Sequence, residues 1–378
     1  MTTQNYQGEL VTAIDVGSSK ISIAQAMVTF GHIDLLDIVT VPSAGLRHGL
    51  VTDKDRAISS IRSARDGLQK GSTYELLPGT VALSGMHLRS FGSRGMAVVR
   101  EEKVDQQDID RAIEAANASP VAEGEEVLAS LVQEYAIDGN TSNKSPLGSM
   151  ARRVEASVLR MLFDSRAVMN FRSVVQGGGI QSNGLIPQSI AAGRAVLTER
   201  ELERGICVID IGAGKTDVAA YWKGTLRHLF SIPVGGYDIT AAVASAFHIG
   251  FGAAEEIKIS SGIALEALCE SQLSTGALQL DVKQLAKVIQ EMIEPLLCSV
   301  RDTLVQAQCW DHLELGVVLT GGTANLAGLI ELCEEVFHSL ARIGTPRQVG
   351  EGNDLVQRPE HAVVIGSLLD SFSPISQG

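Results

Sequence analysis

The chain writes one local pattern twice. "AIDVGSSKISIAQA" at 13–26 and "VIDIGAGKTDVAAY" at 208–221 each run from an apolar strand through an Asp and a Gly turn to a Lys and a second strand. A strand-turn-strand unit repeated at this separation predicts two related α/β domains whose turns grip one object from two sides. The length of 378 residues gives each domain room for a full core.

A Gly-rich reversal between strands leaves backbone N–H groups uncovered, so phosphate oxygens can approach without meeting side chains. Gly17 and Gly212 supply that approach, Ser18, Ser19 and Thr216 add hydroxyl donors, and Lys20 and Lys215 add positive charge. Asp15 and Asp210, directly before the turns, would repel a polyphosphate unless a hydrated cation lies between them. Mg²⁺ keeps most of its waters, and carboxylates hold those waters well. The pair of turns therefore points to an Mg-nucleotide. A third Gly-rich turn, Gly321–Gly322 in "GVVLTGGTANLAGLIELCEEVF", joins a buried strand to a helix. The "GKT" at 214–216 imitates a Walker A loop, but Ile209 stands where that loop needs Gly, and a strand follows instead of a helix. The dinucleotide fingerprint fails likewise, because neither Asp-Gly turn opens a helix.

Charge and cysteine usage exclude other classes. With 31 basic and 44 acidic residues the net charge is −13, and no basic cluster interrupts it, which argues against nucleic acid as a partner. No apolar run reaches bilayer length, and the polar "MTTQNYQGEL" start does not read as a signal peptide, so a cytoplasmic location is expected. The five cysteines have no pairing pattern and the eight histidines no zinc spacing.

Along the chain, Thr52 is placed to cap a helix in which Ala57, Ile58, Ile61, Ala64, Arg65 and Leu68 fall at three-and-four spacing and Gly71 marks the end. The rhythm then breaks. Residues 86–165 read as a separate α+β insert, with a helix over "DQQDIDRAIEAAN" and strands over "EVLASLVQEYAID" and "RRVEASVLRMLF". The expected division is a first domain over 1–85 and 166–190 and a second over 191–240 and 300–378. A helical subdomain spans 241–299, in which Pro295 should kink or divide a long helix.

This three-turn pattern resembles the superfamily of actin, sugar kinases and heat-shock chaperones, and within it the chain resembles FtsA, the bacterial cell-division actin homologues. "LTERELERGICVIDIGAGKTDVAAYWKGTLRHLFSIPVGGYDIT", "SGMHLRSFGSRGMAVVR" and "HLELGVVLTGGTANLAGLIELCEEVFHSLARIGTP" carry the likeness, which covers nearly the whole chain. It implies an α/β, actin-like two-domain ATPase fold with a nucleotide cleft between the domains and an FtsA-type insert in the first. It also implies that Gly17, Ser18, Ser19 and Lys20 hold ATP phosphates from one side and Gly212, Gly214, Lys215 and Thr216 from the other. Gly236 would close the cleft, Glu255 and Lys258 would flank ribose and base, and Gly321 and Gly322 would accommodate adenosine. Gln188, in the joining segment "PQSIAAGRAV", would either orient the attacking water or make an interdomain hydrogen bond. Implied partners are the C-terminal tail of FtsZ, held by the helical subdomain, further copies of the chain, and later division proteins. Ala213 and Lys215 depart from the family wording, which favours Gly and Thr there.

The family also lies on the inner membrane surface through a basic amphipathic helix. After Arg358 this sequence has no Lys or Arg, Glu360 and Asp370 add negative charge, and Pro374 interrupts any terminal helix. The chain alone is therefore expected not to bind lipid, with Leu368, Leu369 and Phe372 completing the core of the second domain. Two other readings stay open: an actin-like pilus-assembly scaffold, and a small-molecule kinase, which would need an acceptor base such as Asp217.

Overall fold

The computed structural model describes residues 8–29, 32–83, 85, 88–269, 274–275, 280–347 and 356–372. The repeat seen in the sequence is a repeat of topology. Strands β1 (Glu9–Val16), β2 (Lys20–Thr29) and β3 (His32–Pro42) form an antiparallel meander, and helix α1 (Lys54–Gly71) leads to β4 (Gly79–Leu83), which joins β1 in parallel. The sheet is completed by β8 (Ser182–Pro187), giving the order β8-β4-β1-β2-β3. The second half repeats this with β9 (Ile206–Ile211), β10 (Thr216–Trp222) and β11 (Thr225–Ile232) as the meander and β12 (Val317–Thr320) and Ala341–Ile343 as the parallel strands. Asp15 pairs with Ser22 and Asp210 with Asp217 at equivalent registers, so both carboxylates sit at the ends of central strands.

The insert departs from the chain after β4. It contains β5 (Arg89–Val98), α2 (Gln106–Asn117), β6 (Glu125–Ile137) and β7 (Arg153–Asp164), before α3 (Ser165–Gly177) returns the chain to β8. Asp105 and Asp108 cap α2 reciprocally; the spacing predicts a stripe of Ile109, Ala112, Ile113 and Ala116, of which Ile113 is half-buried and the others buried. Gly95 is needed beneath this helix because a Cβ there would strike the α2 backbone. The insert's sheet meets the second domain's sheet through a single register pair, Phe230 with Arg89.

Beyond α4 (Gln188–Val196), the second domain carries α5 (Gly236–Phe247), α6 (Phe251–Ser261), α7 (Val282–Gln306) and α8 (Leu329–Phe337). Pro295 does not divide α7, which runs unbroken for 25 residues because buried Ile289, Ile293, Leu296, Leu297 and Val300 hold both halves to one core. The cap of α1 is Asp53 and not Thr52, because the Thr52 hydroxyl donates to the Gly45 carbonyl instead. Most of the segment at 270–280 lies outside the described residues.

The last helix, α9 (Ala362–Phe372), corrects the expected domain boundary. Its buried Val364, Ile365 and Leu368 belong to the core with β1, β2 and β4, and Ser371 donates to Thr80 Oγ1 at 2.8 Å. It therefore rests on the first domain's sheet and against α4, with Arg194 and Asp370 paired at 3.1 Å. Pro374 and the side chain of Phe372 lie outside the described residues.

Gly366 sets how closely α9 approaches α4, since a Cβ there would overlap the Ala191 carbonyl. Gly366→Ala is expected to lower unfolding stability by about 2 kcal/mol, the scale of overpacking. Gly252→Ala in α6, where no atom lies within 4 Å of the added Cβ, should instead raise it by about 0.5 kcal/mol. Urea denaturation of both variants checks the pair. Equal midpoints would overturn the close-crossing argument.

Candidate functional site

The two Asp-Gly turns and the Gly321–Gly322 turn converge on a cleft of about 380 Å³. Asp15, Gly17, Ser18, Ser19, Lys20 and Gln188 line it from the first domain. Gly212, Gly214, Lys215, Asp210, Gly236, Glu255, Lys258, Gly321 and Gly322 line it from the second. Thr216 is the exception. It starts β10 fully buried, and its hydroxyl donates to the Val234 carbonyl at 2.8 Å, so it braces the turn from behind.

Glycine is required at the closest approaches. Gly321 has φ +86, and a side chain there would run into Asp210. A Cβ on Gly214 would come within 2.7 Å of Ser18 Oγ, because the two phosphate-type loops touch. The contact is reinforced by the short hairpin Leu46–Arg47/Leu50–Val51, whose tip places His48 Nδ1 2.5 Å from the Gly214 carbonyl. The same tip lets Gly49 N donate to Ser18 Oγ at 3.2 Å. This latch between domains has no sequence signature, since it joins residues that are far apart in the chain.

The electrostatics are those of like charges held close in a dry place. Burial raises the Asp15 carboxyl above its usual range, against the pull of Lys20 and a 2.7 Å hydrogen bond from Gln188 Nε2. Gln188 thus orients Asp15 within its own domain, not across the cleft. Burial pushes Asp210 up to about 7, with Asp217 and Asp15 adding to the effect and Lys215 and Lys20 opposing it. Lys215 donates to Asp217, which also accepts from Ser231 Oγ, so Asp217 faces its strand neighbours. On the base side, Lys258 Nζ donates to Gly236 O, Thr240 Oγ1 and Glu255 Oε2 at 2.8–2.9 Å.

Sequence reasoning missed the segment at the start of α9. Pro359, Glu360 and Val363 line the cleft, and Lys20 Nζ donates to the Glu360 carbonyl at 2.5 Å. The Glu360 carboxylate accepts from Asn325 Nδ2 at 3.0 Å, tying this segment to the adenosine-type turn. Pro359 before a helix marks a helix start, but nothing local links it to Lys20. Among the described residues, no group of three or more His, Cys, Asp or Glu could hold a metal by itself.

Two sheets of one topology, closing on a cleft through paired Asp-Gly turns, define an actin-like two-domain protein with an α+β insert. Solved structures share this fold. The PilM–PilN type IV pilus biogenesis complex matches with TM-score 0.68 at 19% identity over 96% of this chain and 99% of that one. MreB 5 of Spiroplasma citri bound to AMPPNP matches with TM-score 0.56 at 13% identity, over 97% and 96%. At the level of sequence, residues 207–366 match the family model "Cell division protein FtsA", and residues 85–161 match the "SHS2 domain inserted in FTSA". The cell division protein FtsA of Pseudomonas aeruginosa is 32% identical over 98% of this chain and 91% of its own length. That of Neisseria meningitidis serogroup B is 33% identical, over 96% and 90%. The chain belongs to the FtsA family of actin-like cell division proteins.

The raised Asp210 carboxyl has a measurable consequence. The folded protein keeps a proton that the unfolded chain releases near the ordinary carboxyl value of 3.8, so this group's contribution to stability falls as pH rises from there through about 7. Asp210→Asn removes the ionisation. Relative to wild type the variant should gain stability across that window and level off above it, as read by urea midpoints at successive pH values. A pH-independent difference would show that Asp210 ionises freely.

Proposed function

We propose that this chain is an ATP- and Mg²⁺-binding, actin-like division protein that engages the FtsZ tail, associates with its own copies and recruits later division proteins at the inner face of the membrane. The observation that supports this best is the cleft itself: two buried carboxylates, two flanking lysines and bare glycine backbone meet in one place. The donor set fits the cofactor. Two carboxylates are too few for a closed metal cage, but they suit a cation that retains its waters and shares oxygens with a polyphosphate. When bound, the cation neutralises phosphate charge. Asp15 and Asp210 would hold its waters, and Gln188 would keep Asp15 oriented. Gly17, Ser18, Ser19 and Lys20 would donate to phosphates from one side and Gly212, Gly214 and Lys215 from the other. Thr216 would hold the second turn in shape. Gly236, Glu255 and Lys258 would face the ribose and base, and Gly321 and Gly322 the adenosine.

Lys215, unusual for the family, is neutralised by Asp217, which supports a compensated loop and not a disrupted one. That pairing also leaves Asp217 without the freedom a kinase base needs, and the extended sequence match to FtsA weighs against the pilus-scaffold reading. Nucleotide turnover, where it occurs, would be slow and would serve assembly. The domain division offered here is a first domain over 1–85 and 166–190 joined by α9, an insert over 86–165, and a second domain whose helices at 241–299 present the FtsZ-tail surface.

Asp210→Ala is expected to weaken Mg-ATP binding by about 2 kcal/mol, the scale of losing a hydrogen bond to a charged group, in a calorimetric titration. Unchanged affinity would remove Asp210 from the site.

The partner assignment is tested separately by sedimentation. The chain should pellet with FtsZ polymers and not with FtsZ lacking its C-terminal tail. Because Leu368 and Leu369 of α9 are buried, those residues are not free to lie on lipid. Pelleting with tail-less FtsZ would overturn the partner surface.

A further inference from the structure

A second cavity, of about 570 Å³, lies where the insert meets the second domain and shares no lining residue with the nucleotide-type cleft. Its walls come from β5, β6 and β7 of the insert, from β11, and from the segment after α7. Two guanidinium groups face it in a chain whose net charge is −13. Arg227 has a side chain only 8% exposed, yet its hydrogen-bonding capacity is largely unused. Nε donates to the Trp222 carbonyl at 3.3 Å, Nη1 lies 3.6 Å from Glu134, beyond a good hydrogen bond, and Nη2 is buried without a partner. Arg94, on β5, is exposed at the same cavity, and among the described residues its side chain has no hydrogen-bond or ion-pair partner. The floor is flat and aromatic, with Trp222 stacked on His312 at 4.8 Å and the Arg227 guanidinium 5.6 Å from the Trp222 ring centre.

A buried guanidinium with an orphaned nitrogen is costly, and an oxyanion is the group that would complete it. The fork of Arg227 and the free charge of Arg94 differ from the nucleotide-type cleft, where lysines and glycine backbone provide the donors. We propose that this seam is a second ligand site, for a small oxyanion of the phosphate or polycarboxylate class. The ligand is held between Arg227 and Arg94 and displaces Glu134 from its loose pairing with Arg227. A ligand there touches the insert and the second domain together, so it adds to a junction already made by one strand pair, a shared apolar cluster that includes Leu159, Met161, Leu226 and Leu229, and polar contacts such as Gln133 Nε2 to the Leu226 carbonyl at 3.0 Å.

The test is a titration of the full chain with inorganic phosphate, and in a parallel arm with citrate, in the presence of saturating Mg-ADP to keep anions out of the main cleft. Tryptophan fluorescence reports on Trp222. Arg94→Gln, an exposed change that should not disturb folding, is expected to weaken binding at least tenfold, Arg227→Gln likewise, and Glu134→Gln to tighten it several-fold by removing the competing carboxylate. The stronger arm identifies which oxyanion class the site prefers. Absence of saturable binding in both arms overturns the proposal, as does binding that Arg94→Gln leaves unchanged, because the anion would then sit elsewhere.

Discussion

Asp15 and Asp210 impose the central constraint on this molecule: two carboxylates at the ends of equivalent strands, both buried and both carried above their usual range by that burial. Like charges in a dry place repel, and the surrounding architecture answers that repulsion. Lys20 and Lys215 stand beside them, Gln188 donates to one, and glycines remove the side chains that would otherwise fill the space. The two matching sheets exist, in this sense, to present one strand end each. Neither half makes the cleft alone, since the first supplies no counterpart to the Gly321 turn and the second no counterpart to Lys20 held by Glu360.

Duplication explains how such a site is built from a short vocabulary. A meander followed by two parallel strands places the first strand in the centre of each sheet, with its carboxyl end open between neighbours. That geometry makes the turn after the central strand the natural place for a ligand in an α/β sheet. The halves differ where the first domain expands into the insert between β4 and α3 and the second expands into helices α5 to α7. The insert contributes no residue to the cleft lining, whereas α5 and α6 reach it with Gly236, Glu255 and Lys258.

What the sequence made legible was whatever depends on neighbours in the chain. The Asp-Gly turns and the α2 stripe of Ile109, Ala112, Ile113 and Ala116 were readable because their physics is local: turn chemistry, helical period and capping. The exceptions involve distant partners. Thr52 lost the α1 cap to Asp53 because Gly45 claims its hydroxyl, and Thr216 left the cleft because Val234 claims its own. Pro295 failed to break α7 because buried residues on both sides of it hold one helix to one core. Helix α9 was misplaced for a similar reason: an apolar run announces that it will be buried but not which sheet will bury it.

That misplacement matters for how the molecule works. Because α9 lies on the first sheet while its leading segment, Pro359 and Glu360, lines the cleft, one short stretch touches Lys20, Asn325 and the α4 contact together. Asn325 belongs to the second domain and Lys20 to the first, so Glu360 spans the two through its side chain and its carbonyl. Because the Lys20 ammonium has three donors, a phosphate could share it with the Glu360 carbonyl just ahead of α9. The opposite wall has its own bridge, His48 on Gly214. The domains are thus joined at two points beside the cleft, His48 on the Gly214 carbonyl and the Glu360 carboxylate on Asn325. Substitution of His48 removes the first of these, substitution of Asn325 or Glu360 removes the second, and substitution of Lys20 frees the Glu360 carbonyl.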